Sequence, residues 1–334
     1  VVLGEMSNDT SISSGGGLID IAGTGGSMGV ALQRAYLESE GGDIRIVGEG
    51  EAAGLIVERG GIDGGGGTIF ASGNANAVAG TGLTLSNTSI EGTTGDVSLY
   101  GTATQGVGIA WSGFGVVSTT SGNITMAGVG ADVGLELVGG TVQTDSGHLE
   151  LRGRGMGTGA SGLVVRGDAA ITTAGGGISL SGEGGSGAGI DLEAGTRVDA
   201  GDSLVVVRAG NAGSSDALRL GGTIHSGIGV NLRPGGVDAN GEAYDRTDDE
   251  ILLGGAHGFA LDSAELARIA APEVVIGSQQ HAGAIRVLTD TTRDGNLTLQ
   301  NQGGSGGVDL QAALGVGDHT LTLASGGSSA REKL

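Results

Sequence analysis

The sequence predicts an all-β fold: a parallel β-helix, or β-solenoid, with about three strands per coil. Three observations predict it. A three-beat phrase recurs every 25 to 29 residues, and a fixed period in that range marks a repeat architecture. The apolar residues within each beat alternate with polar ones, which is the period of a strand with one face buried. The chain holds 75 glycines among 334 residues and only 2 prolines, and the glycines fall between the apolar beats, where the chain must turn.

The first beat reads roughly "G-x-[IVL]-x-[LI]". It falls at Leu18, Ile44, Ile69, Val97, Ile124, Leu149, Ile178 and Leu204, with spacings of 26, 25, 28, 27, 25, 29 and 26. Ile44 and Ile46 share one face while Arg45 takes the other. Val97/Leu99, Ile124/Met126, Leu149/Leu151 and Ile178/Leu180 repeat the pattern. The second beat falls at Val30, Leu55, Leu83, Ile109, Leu135, Leu163, Ile190 and Leu218. The third falls at Leu37, Ile62, Ile90, Val116, Val142, Ile171, Val198 and Ile224. It carries single apolar residues between turn formers, so its strand should be two or three residues long. Equivalent residues of successive coils should stack about 4.8 Å apart in parallel ladders.

After residue 226 the phrase blurs and returns with a shorter period. First beats are placed at Ile228, Ile251, Val274, Leu297 and Leu321, spaced 23, 23, 23 and 24. The chain therefore divides into coils of period about 26 over 1–226 and coils of period about 23 over 227–334. The irregular stretch 233–273 holds both prolines, an acidic run and the one helix signal. Asp262 and Glu265 have capping-box spacing, and Leu261 can staple to Leu266. Pro272 ends the segment, so a short helix is expected near 263–270. About 13 coils result, giving a body on the order of 60 Å long. Its ends would be open ladders that invite pairing with another chain.

Composition narrows the class. Collagen is excluded because no G-x-y triplet persists. Disorder is opposed by 38% hydrophobic residues recurring in register. Aromatics at 2% suit a narrow layered core rather than a single deep one. The net charge of −21 argues against nucleic acid and against an anionic membrane surface. With no cysteine, a disulfide, a thiolate metal site and a Cys nucleophile are all ruled out. No stretch is long and apolar enough to span a membrane as a helix, and no signal-peptide pattern is found. The chain opens mid-pattern at Val1 and closes on Arg331, Glu332, Lys333 and Leu334, which reads as a segment of something longer.

The phrases "Gly95-Asp96-Val97-Ser98-Leu99", "Gly122-Asn123-Ile124-Thr125-Met126" and "Gly176-Gly177-Ile178-Ser179-Leu180" resemble the shaft of filamentous-haemagglutinin-like bacterial exoproteins. So does "Ala264-Glu265-Leu266-Ala267-Arg268-Ile269" leading into "Val274-Val275-Ile276-Gly277-Ser278". The resemblance implies a right-handed parallel β-helix, secreted or displayed at the bacterial cell surface by a two-partner or autotransporter-like route. It implies an adhesive rod that contacts a host or bacterial cell surface, glycans or extracellular matrix, with neighbouring coils of the same chain as its nearest partners. The family's secretion domain carries Asn-Pro motifs. This chain contains none, its prolines following Arg233 and Ala271, so only shaft repeats are represented. The family shaft carries no catalytic residues.

Calcium-binding nonapeptide coils need G-G-x-G-x-D in tandem; Gly25-Gly26-Ser27-Met28-Gly29 and Gly64-Gly65-Gly66-Gly67 lack the aspartate. No G-x-x-x-x-G-K-[ST] phosphate loop occurs. Asp245, Asp248, Asp249 and Glu250 have the chemistry for a hard cation, but read better as a solvated loop. A β-helix polysaccharide lyase or hydrolase needs aligned acids on an outward face. The outward column of the second strand reads Ala31, Ile56, Thr84, Ala110, Glu136, Val164, Asp191 and Arg219, where Asp191 and Arg219 suit a surface salt bridge. Trp111, the one tryptophan, has inward parity between Leu85 and Leu137. His225 should stack near Asp199. The expectation is a non-enzymatic rod with no catalytic, cofactor-binding or metal residue. A carbohydrate-active enzyme and a self-assembling fibre subunit, joined end to end, are the alternatives.

Overall fold

The computed structural model describes residues 1–4 and 8–326, so Arg331 to Leu334 lie outside the described residues. The described chain winds as a parallel β-solenoid of about 12 turns. Each regular turn lays one strand on each of three faces. The first and second faces belong to one 20-stranded sheet, and the third face forms a 10-stranded sheet. In two turns the first strand runs unbroken into the second, over Ile69–Ser86 and Val97–Ser112.

Register follows from matching apolar residues. On the first face Ile19, Ile44, Ile69, Val97, Ile124, Leu149, Ile178, Val205 and Val230 stand abreast. The ladder continues through Val274, Leu297 and Leu321. The second-face beats stack as the sequence predicts, from Val30 through Leu218. On the third face Leu37, Ile62, Ile90, Val117, Val142, Ile171, Val198 and Ile224 align. These columns make one continuous aliphatic core.

Five predicted beats are corrected. Leu18, Leu204 and Ile228 are exposed, and the inward residues are Ile19, Val205 and Val230. Placing Leu18 inward would turn Asp20 inward as well, and placing Leu204 inward would bury Arg208. Val117, not Val116, pairs with Ile90. Ile251 is not on the first face at all. It pairs with Phe259 and Ile285 on a four-stranded continuation of the second face. Removing it from the first-face count turns the expected 13 coils into about 12.

Polar columns stack in the same way. The residue before the first strand reaches along the axis to the next turn. Asp43 Oδ1 accepts from Thr68 N at 2.9 Å, Asp96 from Asn123 N at 2.7 Å, and Asn123 from His148 N at 2.9 Å. This explains the "G-[ND]" of the repeat. At the corner after the third strand, buried hydroxyls satisfy turn amides and carbonyls. Thr144 Oγ1 accepts from Gly147 N at 3.1 Å, Thr173 Oγ1 from Gly176 N at 2.9 Å, and Ser226 Oγ from Gly229 N at 2.8 Å.

Glycine has a second role that turns do not explain. Gly48, Gly73, Gly101, Gly128, Gly153 and Gly182 end the first face and oppose Gly54, Gly82, Gly108, Gly134, Gly162 and Gly189 at the start of the second. None of these has positive φ. A Cβ on Gly128 would lie 2.0 Å from the Gly134 carbonyl oxygen. The two strands approach too closely at this corner for any side chain, so space rather than φ selects glycine. Gly128→Ala is therefore expected to destabilise the protein by about 2 kcal/mol or more. Gly26→Ala, where a Cβ meets nothing within 4 Å, should be near neutral; urea midpoints compare the two.

Candidate functional site

The chain makes one excursion from the first face, in the stretch the sequence marks as irregular, while the ladder itself passes from Val230 to Val274. The strand Gly229–Val237 begins as a first-face rung, with Val230 and Leu232 inward. Beyond Pro234 it leaves the ladder and forms an antiparallel hairpin, Gly235–Val237 pairing with Ala243–Asp245. The turn is closed by Asp238, whose Oδ1 accepts from Asn240 N at 2.8 Å and Glu242 N at 2.9 Å.

This hairpin folds back over earlier turns as a strap. Arg152 Nη1 donates to Glu242 at 2.6 Å and to the Gly241 carbonyl at 3.1 Å. Arg154 Nη1 donates to the Val237 carbonyl at 3.2 Å. Arg208 Nε donates to Asp245 at 2.9 Å. Tyr244 Oη donates to Glu183 at 3.2 Å, and Arg246 pairs with the other oxygen of the same carboxylate. Under the strap the strand Ile178–Gly184 is buried at all seven positions. Burial raises the Glu183 carboxyl above the usual carboxylate range, against the opposing pull of Arg246, Tyr244 and Arg154.

The acidic run is therefore distributed rather than convergent. Asp245 lies between Arg208 and Arg233. Asp249 pairs with Arg246 at 3.4 Å, and Glu250 with Arg286 at 2.9 Å. Asp248 has no charged partner among the described residues. No group of three or more His, Cys, Asp or Glu among the described residues is placed to hold a metal ion. The cation reading of Asp245, Asp248, Asp249 and Glu250 gains nothing from this geometry.

The second face carries the other irregularity. The chain first lays Ile251–Leu253 one rung ahead, turns through five residues, and steps back to lay Phe259–Leu261 beside it in parallel. Gly254, His257 and Gly258 in that turn all have positive φ. The capping box at Asp262 and Glu265 forms as predicted. The helix spans only Ser263–Leu266 rather than 263–270, because Ile269–Ala270 is drawn onto the third face beside Ile224 and His225.

Two charged side chains fill gaps in the ladders here; the sequence reading gave Glu265 only its capping role and did not single out Arg293. Glu265 accepts from its own cap at Asp262 N and, at 3.0 Å, from Leu220 N. Burial raises its carboxyl, opposed by these two bonds. Arg293, 4% exposed, donates to the Ile269 carbonyl at 3.0 Å and the Ala271 carbonyl at 2.8 Å. It joins the third-face rung Ile269–Ala270 to the turn that follows Thr291–Thr292. Glu265 lies inside the irregular stretch 233–273 and Arg293 beyond it, so only Glu265 carried a positional signal.

Other predicted contacts are present. Trp111 is fully buried between Leu85 and Leu137, and Gly140 leaves room for its ring: a Cβ there would lie 2.8 Å from Cζ2. Asp191 and Arg219 are register partners 3.5 Å apart. His225 Nδ1 lies 2.7 Å from Asp199 Oδ1 on adjacent third-face rungs. One outward column was overlooked: Glu38, Asp63 and Glu91 stand in register on three successive rungs. Their spacings of 25 and 28 match the third beat, so this acidic ladder was legible. An aromatic pair, Phe70 and Tyr100 with centroids 5.6 Å apart, also faces outward on the first face.

No protein-family model matches this chain, and neither any curated protein nor any solved structure shows significant similarity to it.

Two predictions follow from these contacts. Burial pulls the Asp199 carboxyl upward, but hydrogen bonds from His225, the Gly201 amide and Arg197 outweigh it and hold the group at about 2. A depressed carboxyl contributes stability that is complete above its unfolded value, near 4, and is lost as pH falls through the folded value. Arg197 and His225 are themselves 62% and 53% exposed, so Asp199→Asn should cost only about 1 kcal/mol at pH 7. The gap from wild type should close between about pH 4 and 2 in acid-unfolding curves.

For the strap, Arg246→Met leaves the Glu183 carboxylate buried without its cation. Limited proteolysis should then cut within 238–250 while the shaft survives. Adding Glu183→Gln should restore part of the protection, since it removes the stranded charge.

Proposed function

We propose that this chain is a rigid, non-catalytic rod segment of a secreted or surface-displayed bacterial exoprotein, a shaft of the filamentous-haemagglutinin-like kind. The observation that carries the reading is the unbroken first-face ladder through all of the about 12 turns. Each rung is joined to the next by parallel peptide hydrogen bonds, and the aliphatic columns pack without a break along the axis. Bending such a body shears many ladder bonds together, which suits holding an outer surface away from a cell. At about 4.8 Å per rung the segment is roughly 55 Å long.

The surface chemistry supports the same reading. The strap is folded down against the shaft, its side chains paired with those of earlier turns. Some outward acids are engaged by arginines on the same or adjacent rungs, as with Glu136 and Arg166 or Asp191 and Arg219. What remains free for contact includes the Phe70–Tyr100 pair and Phe114, which is 92% exposed. Host or bacterial surfaces, glycans and extracellular matrix are the partners such a shaft would meet.

Beads coated with the purified segment should adhere under flow to cells, matrix proteins or immobilised glycans, and Phe70→Ser with Phe114→Ser should reduce retention several-fold. Release of reducing or unsaturated sugar from a polysaccharide panel, without adhesion, would replace this reading with the carbohydrate-active one.

A further inference from the structure

Past the base of the strap the first face carries a groove of about 350 Å³ that the rod reading does not use. Part of its space comes from an outward position with no side chain: Gly229 follows Leu204 in register and lines the groove. Val206, Asn231 and Val275, abreast in one column, form the floor. Leu204 and Ile228 form an exposed apolar rim.

Arg233 closes one end. Its side chain is 18% exposed and stands abreast of Arg208 on the preceding rung. Like charges directly opposite on a sheet repel, and one carboxylate, Asp245, serves both. Arg208 is held by two contacts, donating to Asp245 at 2.9 Å and to Ser179 at 3.0 Å. Arg233 Nε lies 3.1 Å from Asp245 Oδ1, but out of line, and makes no hydrogen bond. Among the described residues no hydrogen bond engages its two terminal nitrogens, although Arg233 lines the groove. Burial and the charge of Arg208 both push the Arg233 guanidinium below its ordinary range, with Asp245 offsetting only part.

The far end is opposite in character. Glu273 lies four residues along the neighbouring rung, roughly 13 Å away at 3.3 Å per residue, and accepts from Thr298 Oγ1 at 2.7 Å. An anion is therefore held at the Arg233 end and rejected at the other, with apolar floor and rim between. The volume is at the small end of the range for ligand sites, about 300 to 1,000 Å³.

We infer that this groove binds a small monocarboxylate, its acid group on the terminal nitrogens of Arg233 and its carbon body on Val206, Val275, Leu204 and Ile228. A guanidinium fork matches a carboxylate with two parallel N–H donors. A free short-chain acid and an acidic sugar residue both offer a carboxylate beside an apolar carbon face.

Titration of the protein with sodium hexanoate and with methyl glucuronide, followed by amide chemical shifts of residues 204–206, 229–233 and 273–277, tests this. Hexanamide and methyl glucoside are the uncharged counterparts. At least one acid should saturate these shifts, and its counterpart should bind about tenfold more weakly, the difference expected for one charge-assisted pair. Saturation by hexanoate alone assigns the site to free acids, and by the glucuronide alone to acidic sugars. Arg233→Gln should abolish binding. Ile228→Glu, at an exposed position that leaves folding intact, should weaken it by adding a carboxylate at the rim. The inference is overturned if neither acid shifts these amides, if acid and counterpart bind equally, or if Arg233→Gln binds as wild type.

Discussion

Peptide hydrogen bonds between rungs fix the separation at which every residue in this shaft meets its equivalents. At about 4.8 Å, each side chain lies in contact with the same position one turn earlier and one turn later. Like must then stack on like. Aliphatic residues form inward columns, asparagine and aspartate reach axially to the next amide, and hydroxyls line the third corner. Glycine opposes glycine where the first and second faces meet, because the strands there leave no room for a Cβ. The glycine content of this chain is thus as much a packing requirement as a turning one.

The same constraint explains the junction. The second face lays two rungs, Phe259–Leu261 and Ile251–Leu253, where the first face lays one. Peptide groups at the mismatch lose their regular partners, and buried peptide groups are costly when unpaired. Glu265 supplies an acceptor to Leu220 N, and Arg293 supplies donors to Ile269 and Ala271. The strap adds a second consequence. Once the chain leaves the ladder after Arg233, it must cover or expose its polar backbone, and it does so by lying along the arginines of earlier turns. The groove at Gly229 is the space left just beyond that departure.

Most of the shaft was legible because period and parity are local properties. Second-face beats from Val30 to Leu218 all point inward as read, and Trp111, Asp191–Arg219 and Asp199–His225 fall where column spacing placed them. Errors arose where two apolar residues adjoin, as at Leu18-Ile19, Val116-Val117 and Leu204-Val205. There the choice depends on what the next polar residue would suffer if buried. Ile251 misled for a different reason: its spacing of 23 from Ile228 and from Val274 imitates a rung. Spacing along the chain does not reveal that a segment steps ahead and then back. The strap was invisible because its contacts join residues up to 90 apart through charges that read singly as solvated. The arginine at the groove was unremarkable in sequence, since its distinction lies in sharing Asp245 with Arg208.

The central claim is that the first-face ladder passes directly from the rung of Val230 to that of Val274, with Ile251 diverted to the second face. The absence of native cysteine gives a clean background for testing it. Asn231 and Val275 are outward register partners, about 4.8 Å apart and within disulfide reach. Asn231→Cys with Val275→Cys should oxidise to a 231–275 disulfide, found by peptide mapping without reduction, while Asn231→Cys with Leu252→Cys should stay reduced. A 231–252 disulfide with no 231–275 product would place Ile251 on the first face, set residues 231 and 275 roughly 10 Å apart, and contradict the account.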